Sequence, residues 1–244
     1  MPDRRAFTAS LLPSPMLAAS AVLRMAYFDR YAPLSQRDAG GRVRGLLIDL
    51  VEAAGQAAGL RFSHHAYPWL RAQNMVRQAE LDAVCTTRSP ERLAYLRFCE
   101  TPLLVLPFGF CHRRGDARFT GLRALEDLRG LRQGNYRGSG YARSHLESER
   151  IHLDGDPDSL LRRIAMGDLD VFIDAQLNAE HRIRALALEQ QLMFSPAPFL
   201  PLAAYRFALR HSHPEAEEIV AKMEKATLGA LAKGSLEAVI AGYR

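Results

Sequence analysis

From Val22 onward, short apolar runs alternate with segments whose apolar residues recur at helical spacing. VLRMAYF (22–28), LRFSHHAY (60–67) and LDAVC (81–85) read as strands, and LIDLVEAAGQAA (47–58) and WLRAQNMVRQA (69–79) as helices. The first helix stops at Gly59, and Asp38-Ala39-Gly40-Gly41 suits a hairpin turn. Strands that alternate with helices pair in parallel through crossovers, so the chain is α/β with largely parallel strands.

A second set follows RRGDARFTG (113–121), which reads as a linker. LEDLRG leads into LRQGNYRGSGYARSHL, where Gly134, Gly138 and Gly140 punctuate a strand-to-helix transition. IHLDG and LDVFID are strands. DPDSLLRRIAMG is a helix with Asp156 as cap and Pro157 at its first position, and AQLNAEHRIRALAL is another. Pro196, Pro198 and Pro201 break the chain before AAYRFAL, and two C-terminal helices divide near Gly234. No internal repeat is visible. At 244 residues the chain suffices for one large domain or two lobes.

Charge excludes one class of partner. The net +5 arises mainly from scattered arginines, since the only lysines are Lys222, Lys225 and Lys233. No basic stripe interleaved with aromatics exists, so nucleic acid is not expected. Cys99 and Cys111 bracket an extended-looking run that would hold their Cα atoms about 40 Å apart, beyond the ~7 Å reach of a disulfide. Cys85, Cys99 and Cys111 are therefore expected as small apolar filler. No metal-ligand spacing, phosphate loop or nucleophile motif occurs, so no metal, cofactor or catalytic residue is assigned. His211-Ser212-His213, before Pro214, reads as a solvated turn.

The N-terminus, MPDRRAFTASLLPSPMLAASA, has a basic start, an apolar middle and a small-residue end at Ala19-Ser20-Ala21. Residues 1–21 are expected to be a cleaved export signal, and Arg4-Arg5 resembles the twin-arginine type. The mature chain is thus expected in the periplasm.

Three stretches carry a family likeness: AELDAVCTTRSPERLAYLRFCETP, YFDRYAPL in the first loop, and GSLEAVIAGYR at the end. With them the chain resembles the extracytoplasmic solute-binding proteins of polar amino-acid ABC importers (bacterial solute-binding protein family 3) over about residues 24–244. The resemblance implies a two-lobed periplasmic-binding-protein-like fold of type II with two crossovers between lobes. Lobe 1 would comprise 22–111 plus 206–244, and lobe 2 residues 112–205. It also implies a monomer that closes on a small carboxylate-bearing ligand and serves a membrane ABC permease.

Carried onto this sequence, the likeness assigns Arg92 to the ligand carboxylate, which a guanidinium matches as a fork. The plainer alternative is a surface arginine paired with Glu91 or Glu100. Thr87 would donate to the same carboxylate, or serve only as a strand residue. Cys85 would line the cleft by its carbonyl, or simply pack. Gly138, Ser139 and Gly140 would turn N–H groups toward an anion, though most such loops are only turns. Tyr31 and Trp69 would wall the ligand, or join the core, and Arg71 would add a second cation or cover the surface.

Two positions depart from the family pattern. Where its amino-acid binders carry acids for the ammonium group, this chain has Phe28 and Ala175, each beside an aspartate, Asp29 and Asp174. On a strand a one-residue shift reverses the face. The carboxylate grip is therefore expected to be kept and the amino grip weakened, or remade by Asp174. Two alternatives stand beside a transport role: a periplasmic dehydratase-like enzyme using Arg92, Glu91 and His64 or His65, and a stand-alone sensor for a membrane receptor.

Overall fold

The computed structural model describes residues 22–140 and 151–243. The expected export signal, and the helix expected after Gly140, fall outside these residues.

β1 (Val22–Phe28) leads through a small sheet of β2 (Arg30–Tyr31), β3 (Ser35–Arg37) and β4 (Val43–Arg44) into α1 (Leu46–Ala58). Gly59 closes α1 in the left-handed conformation, φ 68°, as a glycine C-cap does. β5 (Arg61–Tyr67), α2 (Trp69–Arg77), β6 (Ala83–Thr86), α3 (Pro90–Leu93), β7 (Leu96–Phe98) and β8 (Leu104–Leu106) follow. Beyond Pro107 come β9 (Phe108–Arg113), β10 (Gln133–Tyr136), β11 (Ile151–Asp154), α4 (Pro157–Met166), β12 (Val171–Ala175), α5 (Gln176–Ala185) and β13 (Leu192–Pro196). The chain then returns through β14 (Ala203–Arg210), α6 (Ala216–Ala232) and α7 (Ser235–Ala241).

Two sheets result. The first has the order β5-β1-β6-β14-β7, with β8 also on β14; the second has the order β11-β10-β12-β9-β13. In each, three strands run parallel and the fourth, delivered from the other half, runs antiparallel to its neighbours. The chain therefore crosses twice, at Pro107 and between β13 and β14. The second sheet begins at Phe108 and the first resumes at Ala203, a few residues before the boundaries expected at 111/112 and 205/206. The crossing is hidden inside one apolar run because both of its halves are strands, parted by a proline that cannot donate to a ladder. Residues 113–121 do not link the lobes. They end β9 and form a single 3-10 turn, Ala117–Phe119, capped by Asp116.

The first core packs α1, α6 and both faces of the first sheet. The second sheet buries alternate residues on opposite sides: Cys111 and Phe172 with α4 and α5, and Phe110, Val171 and Ile173 with the loops. All three cysteines are free and buried.

The two lobes anchor their strands in the same way. Arg24, in β1, donates its backbone N and Nε to Asp82 Oδ2 and its Nη2 to Asp82 Oδ1, at 2.9–3.0 Å. Arg132, just before β10, makes the same three bonds to Asp170 at 2.8–3.0 Å. Further arginines close on each aspartate: Arg210 on Asp82, and Arg113 and Arg118 on Asp170. With the strand starts pinned at the two poles, the carboxyl ends of β1 and β6 face those of β10 and β12. Open α/β sheets bind ligands at these ends.

Candidate functional site

Where the strand ends meet, both lobes surround a cavity of about 40 Å³, room for about three waters at ~10–15 Å³ each. Phe28, Tyr31, Trp69, Cys85, Thr87, Arg92, Ser139 and Gly140 all line it, so the fold brings most of the expected site residues together. Arg71 is not among them. It is exposed on α2 with its guanidinium 5.0 Å from the centre of the Tyr67 ring.

Arg92 sits in α3, which Ser89 caps and Pro90 opens. Its side chain is folded back under the β6 end and is only 3% exposed. Nε donates to Gln73 Oε1 (3.0 Å), Nη1 to the carbonyl and hydroxyl oxygens of Thr87 (2.9 and 3.1 Å), and Nη2 to the Gly138 carbonyl (3.1 Å). Its Cζ lies over the Trp69 ring at 5.2 Å. Every one of these partners is neutral, and Arg92 forms no ion pair among the described residues. The other buried arginine among the described residues, Arg182, contacts both Asp156 and Asp158. Burial draws the Arg92 pKa down, because an unmatched guanidinium is poorly solvated there.

The glycine loop acts differently from the anion nest expected of it. Gly138 presents its carbonyl to Arg92 and to Gln73 Nε2 (3.0 Å), while the N–H of Ser139 closes a turn onto Tyr136 O. An anion nest needs convergent N–H groups; here a carbonyl points at the cation. Glycine is required for approach. Gly138 has φ +84°, and a Cβ there would lie 2.6 Å from Gln73 Nε2. A Cβ on Gly140 would lie 3.2 Å from Arg92 Nη1.

Asp174, near the end of β12, is 1% exposed and stands behind the cavity wall. Its Oδ1 accepts from Tyr31 Oη (2.7 Å) and from the Ala175 N–H (2.8 Å). Its Oδ2 is buried with no partner among the described residues. Burial pushes the carboxyl pKa up to about 6, against the opposing effects of the Tyr31 and Ala175 bonds and of Arg182. Ala175 itself is buried in the first lobe's core. Asp29, the other neighbouring acid, does not line the cavity.

Sequence reasoning missed three contributors. Gln73, which links Arg92 to Gly138, lies four residues after Trp69 on α2, so the two share a helix face; that spacing was the available signal. Tyr136 ends β10 as Phe28 ends β1, and the two rings meet across the lobes with centroids 5.5 Å apart. Tyr205 comes from β14, and its hydroxyl is 3.2 Å from that of Tyr31. No local pattern marks either tyrosine. The histidine pair lies elsewhere: His64 bonds Glu52 of α1 (2.6 Å) and the Tyr27 hydroxyl, and His65 bonds Ser63.

A family model described as bacterial extracellular solute-binding proteins, family 3, matches residues 23–243. The chain belongs to that family. The family 3 fold is also found in solved structures. A histidine kinase sensor domain, described as similar to periplasmic binding proteins, superposes with a TM-score of 0.79 at 20% identity, covering 92% of this chain and 96% of that one. An ancestral arginine-binding protein bound to arginine gives 0.73 at 17%, covering 91% and 97%. The periplasmic VFT2 domain of Bordetella pertussis BvgS gives 0.73 at 16%, covering 91% and 93%. At such identities the likeness concerns the fold, the two-lobed periplasmic-binding-protein architecture. No curated protein matches the sequence. Among the described residues, no helix of this family member is long and apolar enough to cross a membrane.

Proposed function

We propose that this protein is an exported, non-catalytic receptor that captures a small carboxylate-bearing solute between its lobes and delivers it to a membrane ABC permease. The observation that carries this reading is Arg92: a buried guanidinium at the cavity whose partners among the described residues are all neutral. Burying a cation without a counter-ion is costly, and an anion entering from solvent relieves that cost. The Gly138 carbonyl, presented by lobe 2, holds Nη2 and is the acceptor that a carboxylate replaces when the lobes part. Thr87 Oγ1 accepts from Arg92, so its own proton remains to donate to the same carboxylate.

A catalytic role finds little support, since neither His64 nor His65 lines the cavity and Glu91 bonds Arg77. One observation favours a sensor as the second reading. The lobes are bridged by the protein's own groups, Tyr31 with Asp174, Arg92 with Gly138, and Arg182 Nη1 with Arg30 O (2.8 Å), so a ligand would act by changing an existing interlobe contact.

Trp69 is the single tryptophan and lies against Arg92, so its fluorescence reports on the site. Titration with a panel of small carboxylates is expected to give a saturable change for at least one, abolished by Arg92→Gln. A panel that leaves the emission unmoved would reject the carboxylate reading.

A further inference from the structure

We infer that the cleft selects a planar carboxylate without an α-ammonium group, a ring or conjugated acid in place of an α-amino acid. This rests on the carboxylate reading above and concerns the other end of the same ligand.

Charge is the first ground. Among the described residues that line the cavity, Arg92 is the one ionised group; the others are aromatic, aliphatic, hydroxyl, thiol or glycine. A cavity with one cation matches a monoanion. Within the described lining it leaves the ammonium of a zwitterion with no counter-charge and within reach of a like charge. Phe28 adds an uncharged ring to that lining.

The neighbouring carboxyl does not compensate. Asp174 does not line the cavity, and Tyr31 stands between them with its hydroxyl committed to Oδ1. The protein's own phenol takes Oδ1, and Oδ2, buried without a partner among the described residues, belongs to a residue outside the cavity lining.

Shape is the second, independent ground. The Phe28 ring runs at 18° to Tyr31 with centroids 5.5 Å apart, and at 24° to Trp69 with centroids 6.3 Å apart. Tyr136 tilts in from lobe 2 at 5.5–5.7 Å from Phe28 and Tyr31. These rings stack on one another, and Phe28, Tyr31, Trp69 and Tyr136 all line the cavity, so a ligand that reaches Arg92 when the lobes part meets ring faces. A ring conjugated to its carboxylate lies flat against such a face, whereas a tetrahedral α-carbon turns its ammonium into it. Aromatic faces do attract cations, but the Trp69 face already carries the Arg92 guanidinium, which repels a second one.

Thermal shift of the purified protein with three probes tests this: benzoate, cyclohexanecarboxylate and L-phenylalanine, each with the wild type and Arg92→Gln. Benzoate is expected to raise Tm by about 5–10 °C near a hundredfold excess over its Kd, with the other two shifting it far less and Arg92→Gln abolishing the effect. Phe28→Asp should reverse the preference toward L-phenylalanine; the wild-type comparison stands even if that variant fails to fold. An Arg92-dependent shift by L-phenylalanine equal to that of benzoate overturns the inference and leaves the carboxylate reading intact. Equal shifts by benzoate and cyclohexanecarboxylate overturn the planarity. No shift by any probe rejects both.

Discussion

Arg92 concentrates the functional argument because, of the two buried arginines among the described residues, it is the one that meets no acid. Arg24, Arg132 and Arg182 each meet an aspartate. Arg92 meets an amide, a hydroxyl and two carbonyls. Arg92→Met removes a buried charge, but it also leaves the acceptors of Gln73, Thr87 and Gly138 without their donor, at about 1–3 kcal/mol for a buried group left unsatisfied. The variant is therefore expected to melt below the wild type when unliganded and to lose every carboxylate-induced shift, which melting curves with and without probe detect. A shift that survives the substitution would mean that the arginine is structural only. Its position is legible in the sequence because Ser-Pro-Glu-Arg builds a capped turn directly after a strand. Tyr136 and Tyr205 are not legible, since their contacts with Phe28 and Tyr31 join elements more than a hundred residues apart, and no local period records that. Asp174 lies between the two outcomes. Its neighbourhood is readable, but that its carboxylate meets Tyr31 depends on how the lobes close.

Among elements, the long periodic ones are those the sequence delivers. β1, α1, α4 and the two C-terminal helices follow from runs with clear starts and stops. β7 and β13 escape because Leu96–Phe98 is too short for a period and Leu192–Pro196 ends in a proline. The shared sheet order escapes as well. It shows chiefly in the Arg24–Asp82 and Arg132–Asp170 anchors, where Leu-Asp opens the third strand of each lobe. Asp170 is almost fully buried among half-exposed arginines that hold its carboxyl well below the usual range. Asp170→Asn should cost about 2 kcal/mol, the scale of hydrogen bonds to a charged group, read as a loss of denaturant midpoint without loss of probe binding. The glycine loop carries a different expectation. Gly138→Ala imposes left-handed backbone on a residue with a Cβ, about 1–2 kcal/mol, and drives that Cβ into Gln73. It should weaken the interlobe contact and enlarge the radius of gyration in X-ray scattering while secondary structure is kept. An unchanged radius would mean that the loop relaxes without parting the lobes.

At the scale of the whole molecule, closure and protonation are coupled through Asp174. Tyr31, Tyr136 and Tyr205 face it from β2, β10 and β14, Cys111 from β9 and Arg182 from α5. Burial raises its pKa from 3.8 to about 6, so the closed, folded protein binds a proton more readily than the unfolded chain. Stability from this group is full below pH 4 and is lost as pH rises through about 6; two pKa units correspond to about 3 kcal/mol at most. The same sign applies to closure, since parting the lobes returns the carboxyl to water. Asp82 acts outside this window, because its pKa falls to about 2 under its arginines and it stays ionised from pH 4 upward. Asp174→Asn keeps an acceptor for Tyr31 and Ala175 but cannot ionise. At pH 7 it should melt several degrees above the wild type, and the difference should vanish toward pH 4. Scattering at pH 5 and pH 8 should show the wild type more compact at the lower pH and the variant compact at both. A wild type whose radius is the same at both values would place the control of closure in the uncharged contacts, Arg182 with the Arg30 carbonyl and Arg92 with Gly138, and remove Asp174 from it.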